Sequence, residues 1–364
     1  MIAFLSLLVW LYLFFAHGRF WLSAPELPPA VPPEHPDVDI IVPARDEAHT
    51  IAAVIGSLLA QDYRGKFRVI LVDDNSTDDT AALAGTAANL TVITLRSKPV
   101  GWSGKLWALS QGFEVSQAPV LFFTDADIVH DPRHLSSLVA KLLQSRLELV
   151  SEMVRLNCRS LAERALVPAF VYFFQMLYPF TRVNDPSSSV AAAAGGTVLI
   201  RREALQRIGG IDAIKNCLID DVALATSVKR SGAIFLGHSG LAESIRPYAN
   251  FGDIWQMISR TAFTQLRYSP VLLALTLLAL MVVWLVPAAG ILFGHGRQLA
   301  LGLAAFGLSA ISYMPTLARY GRNRLWALAL PLIAVFYMAA TCGSALNYWR
   351  GQGARWKSRA YGSS

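Results

Sequence analysis

Two pairs of carboxylates carry the first chemical signal in the chain. Asp125 and Asp127 stand at i and i+2 directly after the run Leu121-Phe122-Phe123-Thr124. Charges leaving a buried strand are costly unless they bind something. A divalent ion of the Mg2+ or Mn2+ kind takes one or two carboxylates and completes its shell with substrate phosphates. Held there, it would neutralise a diphosphate leaving group. Exposed loops also carry many such Asp-x-Asp triplets with no ligand. The second pair, Asp220 and Asp221, follows Ile219 and enters a helical stretch. One carboxylate can cap that helix, which leaves the other as a general base for an acceptor hydroxyl. Upstream, Gly195, Gly196 and Thr197 close a run of alanines. Such small residues let a bulky acceptor approach the backbone, and they serve tight packing equally well.

Two more clusters lie nearer the N-terminus. Pro43, Ala44, Arg45, Asp46 and Glu47 follow the apolar run Ile40-Ile41-Val42. A strand end of this kind offers backbone groups and a carboxylate to a base or ribose; a polar turn with a helix cap is the plainer reading. Asp73 and Asp74 follow Leu71-Val72 and are candidates for hydrogen bonds to a nucleotide, while Asp78 and Asp79 suit helix caps. A calcium loop of the EF-hand type is excluded, because Asp78 stands where glycine is required and Ala84 where the closing glutamate should be. The basic loop Lys98–Lys105 can reach phosphates through Lys105, although it lacks P-loop spacing. The histidines show no metal-ligand spacing. Cys158, Cys217 and Cys342 form no paired motif and read as buried free thiols facing a reducing compartment.

The elements that must position these groups follow from periodicity. Short β-rich runs at 38–42, 69–72, 91–94 and 120–123 alternate with helical runs at 50–61 and 80–88. Alternation of this kind predicts an α/β domain with a mostly parallel sheet. Ligands of such sheets bind at the carboxyl ends of the strands, which is where the acidic motifs fall. The predicted layout is an N-terminal anchor at 1–20, a Pro-rich linker at 21–36 and the sheet domain at 37–250. An amphipathic interfacial helix at 251–270, transmembrane segments within 271–346 and a basic tail at 347–364 complete it.

Composition agrees with a membrane protein: 54% of the 364 residues are hydrophobic and 16% charged, against about 25% charged in soluble domains. The net charge of +7 suits anionic headgroups rather than nucleic acid. Apolar stretches at 271–293, 299–318 and 325–346 are each close to the ~20 residues of a spanning helix. Arg319, Arg322 and Arg324 put their link in the cytoplasm with the catalytic domain. Three full crossings then export a tail that holds Arg350, Arg355, Lys357 and Arg359, against the same rule. Either the tail is an exception or one segment re-enters, and Pro331 points to the last. Residues 161–180, interrupted by Pro168 and Pro179, read as a helix lying on the membrane. On 252–268, Trp255, Ile258, Ala262 and Leu266 share one helical face and Gln256, Arg260 and Arg267 another.

Taken in order, PARDE at 43–47, VDDNSTD at 72–78, the GK pair at 104–105, TDAD at 124–127, AGGT at 194–197 and IDD at 219–221 resemble the family 2 glycosyltransferases with the GT-A fold. The run 260–270 (RTAFTQLRYSP), with an anchor before and apolar segments after, is similar to the hopene-associated glycosyltransferases. Ceramide glucosyltransferases are more distant, and the tail 356–361 is similar to a short motif ending related lipid-directed members. The resemblance implies a GT-A, Rossmann-like catalytic domain plus transmembrane helices, and inverting transfer of one sugar from a nucleotide-sugar, expected to be a UDP-sugar, to a lipid acceptor. It implies Asp125 and Asp127 at a divalent metal, Mn2+ or Mg2+, with Asp46, Asp73 and Asp74 at the nucleotide and Asp221 as base. Pro43 to Glu47, Lys105 and Asp125 are expected to line the donor. Gly195, Gly196, Thr197, Gln256, Arg260 and Arg267 are expected to line the acceptor, a hopanoid or other polyisoprenoid. Processive relatives carry QxxRW; here Gln256 and Arg260 are followed by Thr261, which argues against polymer synthesis, and Asp220 replaces a glutamate. The expected location is the inner membrane, multi-pass. A nucleotidyltransferase would want a basic Gly-rich loop near the N-terminus, a silent scaffold has no use for so many clustered carboxylates, and a transporter would want acidic residues in its spans.

Overall fold

The computed structural model describes residues 1–22, 25–351, 355–356 and 359–360. They form two compact units. One holds Pro25–Asn157 and Arg182–Pro247; the other holds Met1–Ala24, Cys158–Thr181 and Tyr248–Ala354. In the basic tail, Lys357 and Tyr361 lie outside the described residues.

The first unit is built on an eight-stranded sheet in the order β3-β2-β1-β4-β7-β6-β8-β5. The strands are β1 (Val38–Ala44), β2 (Phe67–Asp73), β3 (Leu90–Thr94), β4 (Val120–Phe123), β5 (Ile128–His130), β6 (Leu149–Arg155), β7 (Val198–Arg201) and β8 (Ile234–Ser244). β1 pairs in parallel with β2 and β4, β2 with β3, and β6 with β8. β7 runs antiparallel to both β4 and β6, and β5 antiparallel to β8. Every residue of β1 is buried, as expected where helices cover both faces of a parallel sheet. Its Val38, Ile40 and Val42 join the core with Val54, Ile55 and Leu58 of the Ile51–Leu59 helix and with Leu135 and Leu138 of the His134–Gln144 helix. On the other face, a Cβ at Gly112 would lie 2.5 Å from Ile41, so the Gly104–Val115 helix packs there only because residue 112 has none. The helix expected over 80–88 stops at Leu83, since Gly85 turns left-handed at φ +74°.

Because β1, β2 and β4 are parallel, their carboxyl ends share one sheet edge. β7 runs the other way, so its opening residues, Gly195–Thr197, come to that edge as well.

The second unit is helical. Pro270–Phe293, Arg297–Arg319 and Arg324–Trp349 are long and apolar enough to span a membrane. The first carries a π-turn at Met281–Leu285 just ahead of Pro287, whose missing N–H leaves a backbone carbonyl without its usual donor. Pro331 sits in the first turn of the Leu330–Trp349 helix and does not break it; the irregular stretch is the 3-10 turn Arg324–Ala329 before it. The Ile2–Phe15 helix has 14 residues, with Trp10 Nε1 donating to Val283 O at 2.7 Å.

Leu161–Leu177 is one continuous helix despite Pro168, opened by a capping box between Ser160 and Glu163. It packs among the other helices: Tyr172 and Ser312 hydroxyls meet at 2.6 Å, and Tyr337 donates to Leu166 O at 2.9 Å. The amphipathic helix spans Phe251–Gln265 and buries Ile254, Ile258 and Phe263. Of the expected stripe Ile258 is buried, while Trp255, Ala262 and Leu266 are half-buried. The three cysteines are half-buried and free rather than fully buried.

Candidate active site

Lys105 is the hub of the sheet edge. It lies in the first turn of the Gly104–Val115 helix, whose N-cap Ser103 accepts from Leu106 N at 3.1 Å. Its ammonium sits 2.7 Å from Asp125 Oδ1 and 3.7 Å from Asp220 Oδ2. Burial works against that charge, but Asp125 and Asp220 outweigh it and hold the ammonium above the usual lysine range.

Asp220 and Asp221 open the Asp220–Lys229 helix, after the N-cap Ile219. Neither carboxylate is the cap residue; both occupy the first turn, where the helix dipole favours negative charge. Asp221 Oδ1 accepts from Val222 N at 2.8 Å and Oδ2 from Gly195 N at 3.0 Å. Burial, then the neighbouring Asp220, push the Asp221 carboxyl up to about 6. A carboxylate poised there is suited to taking a proton near neutral pH.

Gly195 has a packing reason to be glycine. A Cβ there would stand 3.1 Å from Lys105 Nζ and 3.5 Å from Asp221 Oδ2. Gly196 is backed by Val154, which a Cβ would meet at 3.3 Å. Thr197 is wholly buried, so its side chain faces the interior rather than the open edge. Pro43, Leu106, Phe123, Ile211 and Leu224 give the cavity around these polar groups an apolar lining.

Asp127 has a different partner. Arg246, just past β8, donates from Nε to Asp127 Oδ2 at 2.7 Å and from an Nη to Glu47 Oε1 at 2.5 Å. Burial disfavours the guanidinium, yet the two carboxylates hold it more firmly charged than an ordinary arginine. Sequence reasoning missed Arg246; the available signal was that Asp127 and Glu47, both flanked by apolar strands, needed a counter-charge. The carboxylate pair offers hard oxygen donors fitting Mg2+ or Mn2+. Among the described residues no group of three or more His, Cys, Asp or Glu is placed to hold a metal ion.

The N-terminal motifs form one knot of loops beside this site. Arg45 is buried and donates to Asp74 O, and to Asn75 O at 3.0 Å. Asp74 is itself wholly buried, 3.8 Å from that guanidinium, so its carboxylate braces the loop from within. Asp46 takes a left-handed φ of +51° and accepts from Thr77 N at 2.7 Å. Asp73 accepts from the Ser76 hydroxyl and, at 3.3 Å, from Ser76 N. Of the carboxylates of Asp46, Asp73 and Asp74, that of Asp46 has the most access, at 28%, whereas Asp73 and Asp74 are buried. Gln256, Arg260 and Arg267 belong to the helical unit and are exposed there.

Residues 39–209 match the model of glycosyl transferase family 2. A similar curated protein is the 4,4'-diaponeurosporenoate glycosyltransferase of Staphylococcus haemolyticus, 31% identical over 27% of this chain and 26% of that one. Another is the dodecaprenyl-phosphate galacturonate synthase of Rhizobium johnstonii, 25% identical over 31% of this chain and 35% of that one. The chain thus spans well under two thirds of these relatives. Among solved structures, a mannosyltransferase of Pyrobaculum calidifontis in complex with GDP-Man and Mn2+ superposes with a TM-score of 0.56 at 20% identity, covering 95% of this chain and 99% of that one. That likeness fixes the fold. Residues 39–209 carry a family 2 glycosyltransferase domain, set in a sheet of GT-A type.

Proposed function

We propose that the chain is an inverting, non-processive glycosyltransferase of the inner membrane. It moves one sugar from a nucleotide-sugar, a UDP-sugar in our reading, to the hydroxyl of a hopanoid or other polyisoprenoid lipid. The observation that carries this reading is the convergence of Asp221, Asp220, Lys105 and Asp125 on one cavity at the sheet edge.

In this scheme Asp221 takes the acceptor's hydroxyl proton through the carboxylate that Gly195 N–H orients. The alkoxide attacks the anomeric carbon from the face opposite the departing nucleoside diphosphate, so configuration inverts. Lys105 stands beside the negative charge that develops on the leaving group. A Mg2+ or Mn2+ ion held by Asp125 and Asp127 would supply further neutralisation of that diphosphate. Asp46 and Asp73 face the nucleotide, and Asp74 acts by holding Arg45. Gln256, Arg260 and Arg267 are assigned to the acceptor.

The helical contacts also support a topology. The hairpin from Pro270 to Arg319 is antiparallel, with Gly290 and Gly302 so close that a Cβ on Gly302 would meet Gly290 at 3.0 Å. Thr316 bonds Gln175 at 3.4 Å, and one turn along that segment Tyr178 accepts from Gln265 at 2.6 Å. Tyr268 stacks on Tyr348 at 4.5 Å, and Phe263 meets Trp349 at 5.6 Å. Arg319 and Arg350 therefore lie at the same end of the bundle, the end where Pro270 begins. We read the segment 320–349 as re-entering and leaving by one face, which puts Arg350 on the side of Arg319, as the positive-inside rule favours.

The direct test adds lipid extract containing hopanoid or polyprenol, with a radiolabelled UDP-sugar, to protein in bilayers. Label moving into a single lipid product supports the reading; label building a polymer, or staying wholly water-soluble, refutes it.

A further inference from the structure

Behind the sheet edge runs a buried polar chain that the mechanism above does not use. Glu152 Oε2 lies 2.7 Å from His134 Nε2, and His134 Nδ1 lies 2.8 Å from His130 Nδ1. His130 Nε2 lies 3.0 Å from Thr124 Oγ1, which in turn lies 2.9 Å from the carbonyl oxygen of Gly196. Thr124, His134 and Glu152 are each 1% exposed and His130 5%. The imidazoles are stacked at 5.0 Å with 15° between planes. Polar groups sealed in this way must satisfy one another, because water does not reach them.

Counting protons decides how. A carboxylate, two neutral imidazoles and a hydroxyl bring three N–H or O–H protons to four contacts. If Glu152 is ionised and both rings are neutral, His134 donates to Glu152, His130 to His134, and Thr124 to His130. The Gly196 carbonyl is then left without a donor. One added proton on the Glu152–His134 bond reverses the direction of every later link. His134 then donates through Nδ1 to His130, His130 through Nε2 to Thr124, and Thr124 to Gly196. All four contacts are hydrogen bonds only in that state. Glu152 Oε1 is buried with no partner among the described residues, which disfavours a bare carboxylate there. Burial, then His134, hold His130 well below the usual histidine range, which disfavours a charged ring at that position.

The far end of the chain matters because of what Gly196 adjoins. Its neighbour Gly195 donates the hydrogen bond that orients Asp221, and Thr124 precedes Asp125. We propose that Glu152, His134 and His130 are positioning residues which hold one extra proton, and that through Thr124 they fix the Gly195–Gly196 turn against the Asp-x-Asp strand. This rests on the assignment of Asp221 as base, but the turn itself can be observed without any substrate.

The test is hydrogen exchange of the segment 191–197 in the full chain in bilayers, together with turnover on whichever donor is active. Thr124→Val keeps the shape and deletes the donor, so exchange in that segment should quicken about tenfold, the worth of one hydrogen bond. Turnover should fall by roughly ten- to a hundredfold through misplacement of the base, with the donor KM within about threefold, and Thr124→Ser should restore both. Glu152→Gln supplies an amide N–H to His134 in place of the added proton and should keep the segment protected. Glu152→Met removes the acceptor at that end and leaves three protons for three contacts, so Thr124 can still donate to Gly196 and the segment should stay protected as well. Protection of β1 and β2 reports that each variant is folded. Unchanged exchange in Thr124→Val overturns the proposal, and so does a Glu152→Gln variant that exchanges as fast as Thr124→Val. Absence of turnover on every donor would remove the proposed reaction while leaving the exchange comparison to decide the lock.

Discussion

The pH dependence of turnover tests the base most sharply. Asp221 is pushed up to about 6 by burial and by Asp220. For a carboxyl titrating there, about one-tenth is ionised at pH 5 and about nine-tenths at pH 7. The rate with saturating donor should therefore rise about tenfold across that interval. A carboxyl at the ordinary value of about 3.9 would be almost fully ionised at both, and the rate would be nearly flat. The step belongs to the Asp220–Asp221 pair as a unit. Asp221→Asn should lower kcat by about a hundredfold or more and abolish the acid limb in what turnover remains. Initial rates of nucleotide release, taken from pH 5 to 8 on both forms, supply the comparison. A flat wild-type profile, or an Asp221→Asn variant with normal turnover, would refute the assignment.

Gly195→Ala places a Cβ 3.1 Å from Lys105 Nζ and 3.5 Å from Asp221 Oδ2; kcat should drop by roughly ten- to a hundredfold with thermal unfolding little changed, as steady-state kinetics and a melting curve would show. Asp127→Ala should abolish the Mn2+ dependence of donor binding, whereas Arg246→Gln, by releasing Asp127 from its 2.7 Å partner, should tighten Mn2+, both read by calorimetry. Weaker Mn2+ binding in Arg246→Gln would mean that Arg246 does not compete for that carboxylate. For topology, single cysteines at Arg324 and Arg350 on a cysteine-free background should be labelled from the same side of sealed vesicles, and one at His295 from the other. Labelling of Arg350→Cys together with His295→Cys would restore a third crossing.

Much of the sheet was legible because β1, β2 and β4 are buried apolar runs ending in acidic turns, a pattern set by strand period and burial. The acidic motifs could be placed at one edge for the same reason. What the sequence hid was pairing across distance. Arg246 meets Asp127 and Glu47 only because β8 lies beside β5 and β6, and no local pattern announces that. His130 and His134 are four residues apart, but a strand and then a helix hold them, so helical spacing misreads them. Glu152 joins them from β6, across the fold. The same limit applies to Asp74, which reads as a ligand from its place after a strand yet is sealed against Arg45. In the helical unit, length and hydropathy located the segments, while the short 3-10 turn Arg324–Ala329 before Pro331 had no strong signature.

The central claim is that this cavity transfers a sugar from a nucleotide donor. Its most direct test is nucleotide release by the purified chain in bilayers, across a panel of UDP-sugars, with Mn2+, Mg2+ or chelator. The account predicts release from one UDP-sugar that needs the metal and quickens when hopanoid or polyprenol lipid is added. No release from any donor in the presence of both lipids, or release indifferent to metal and lipid, would contradict it.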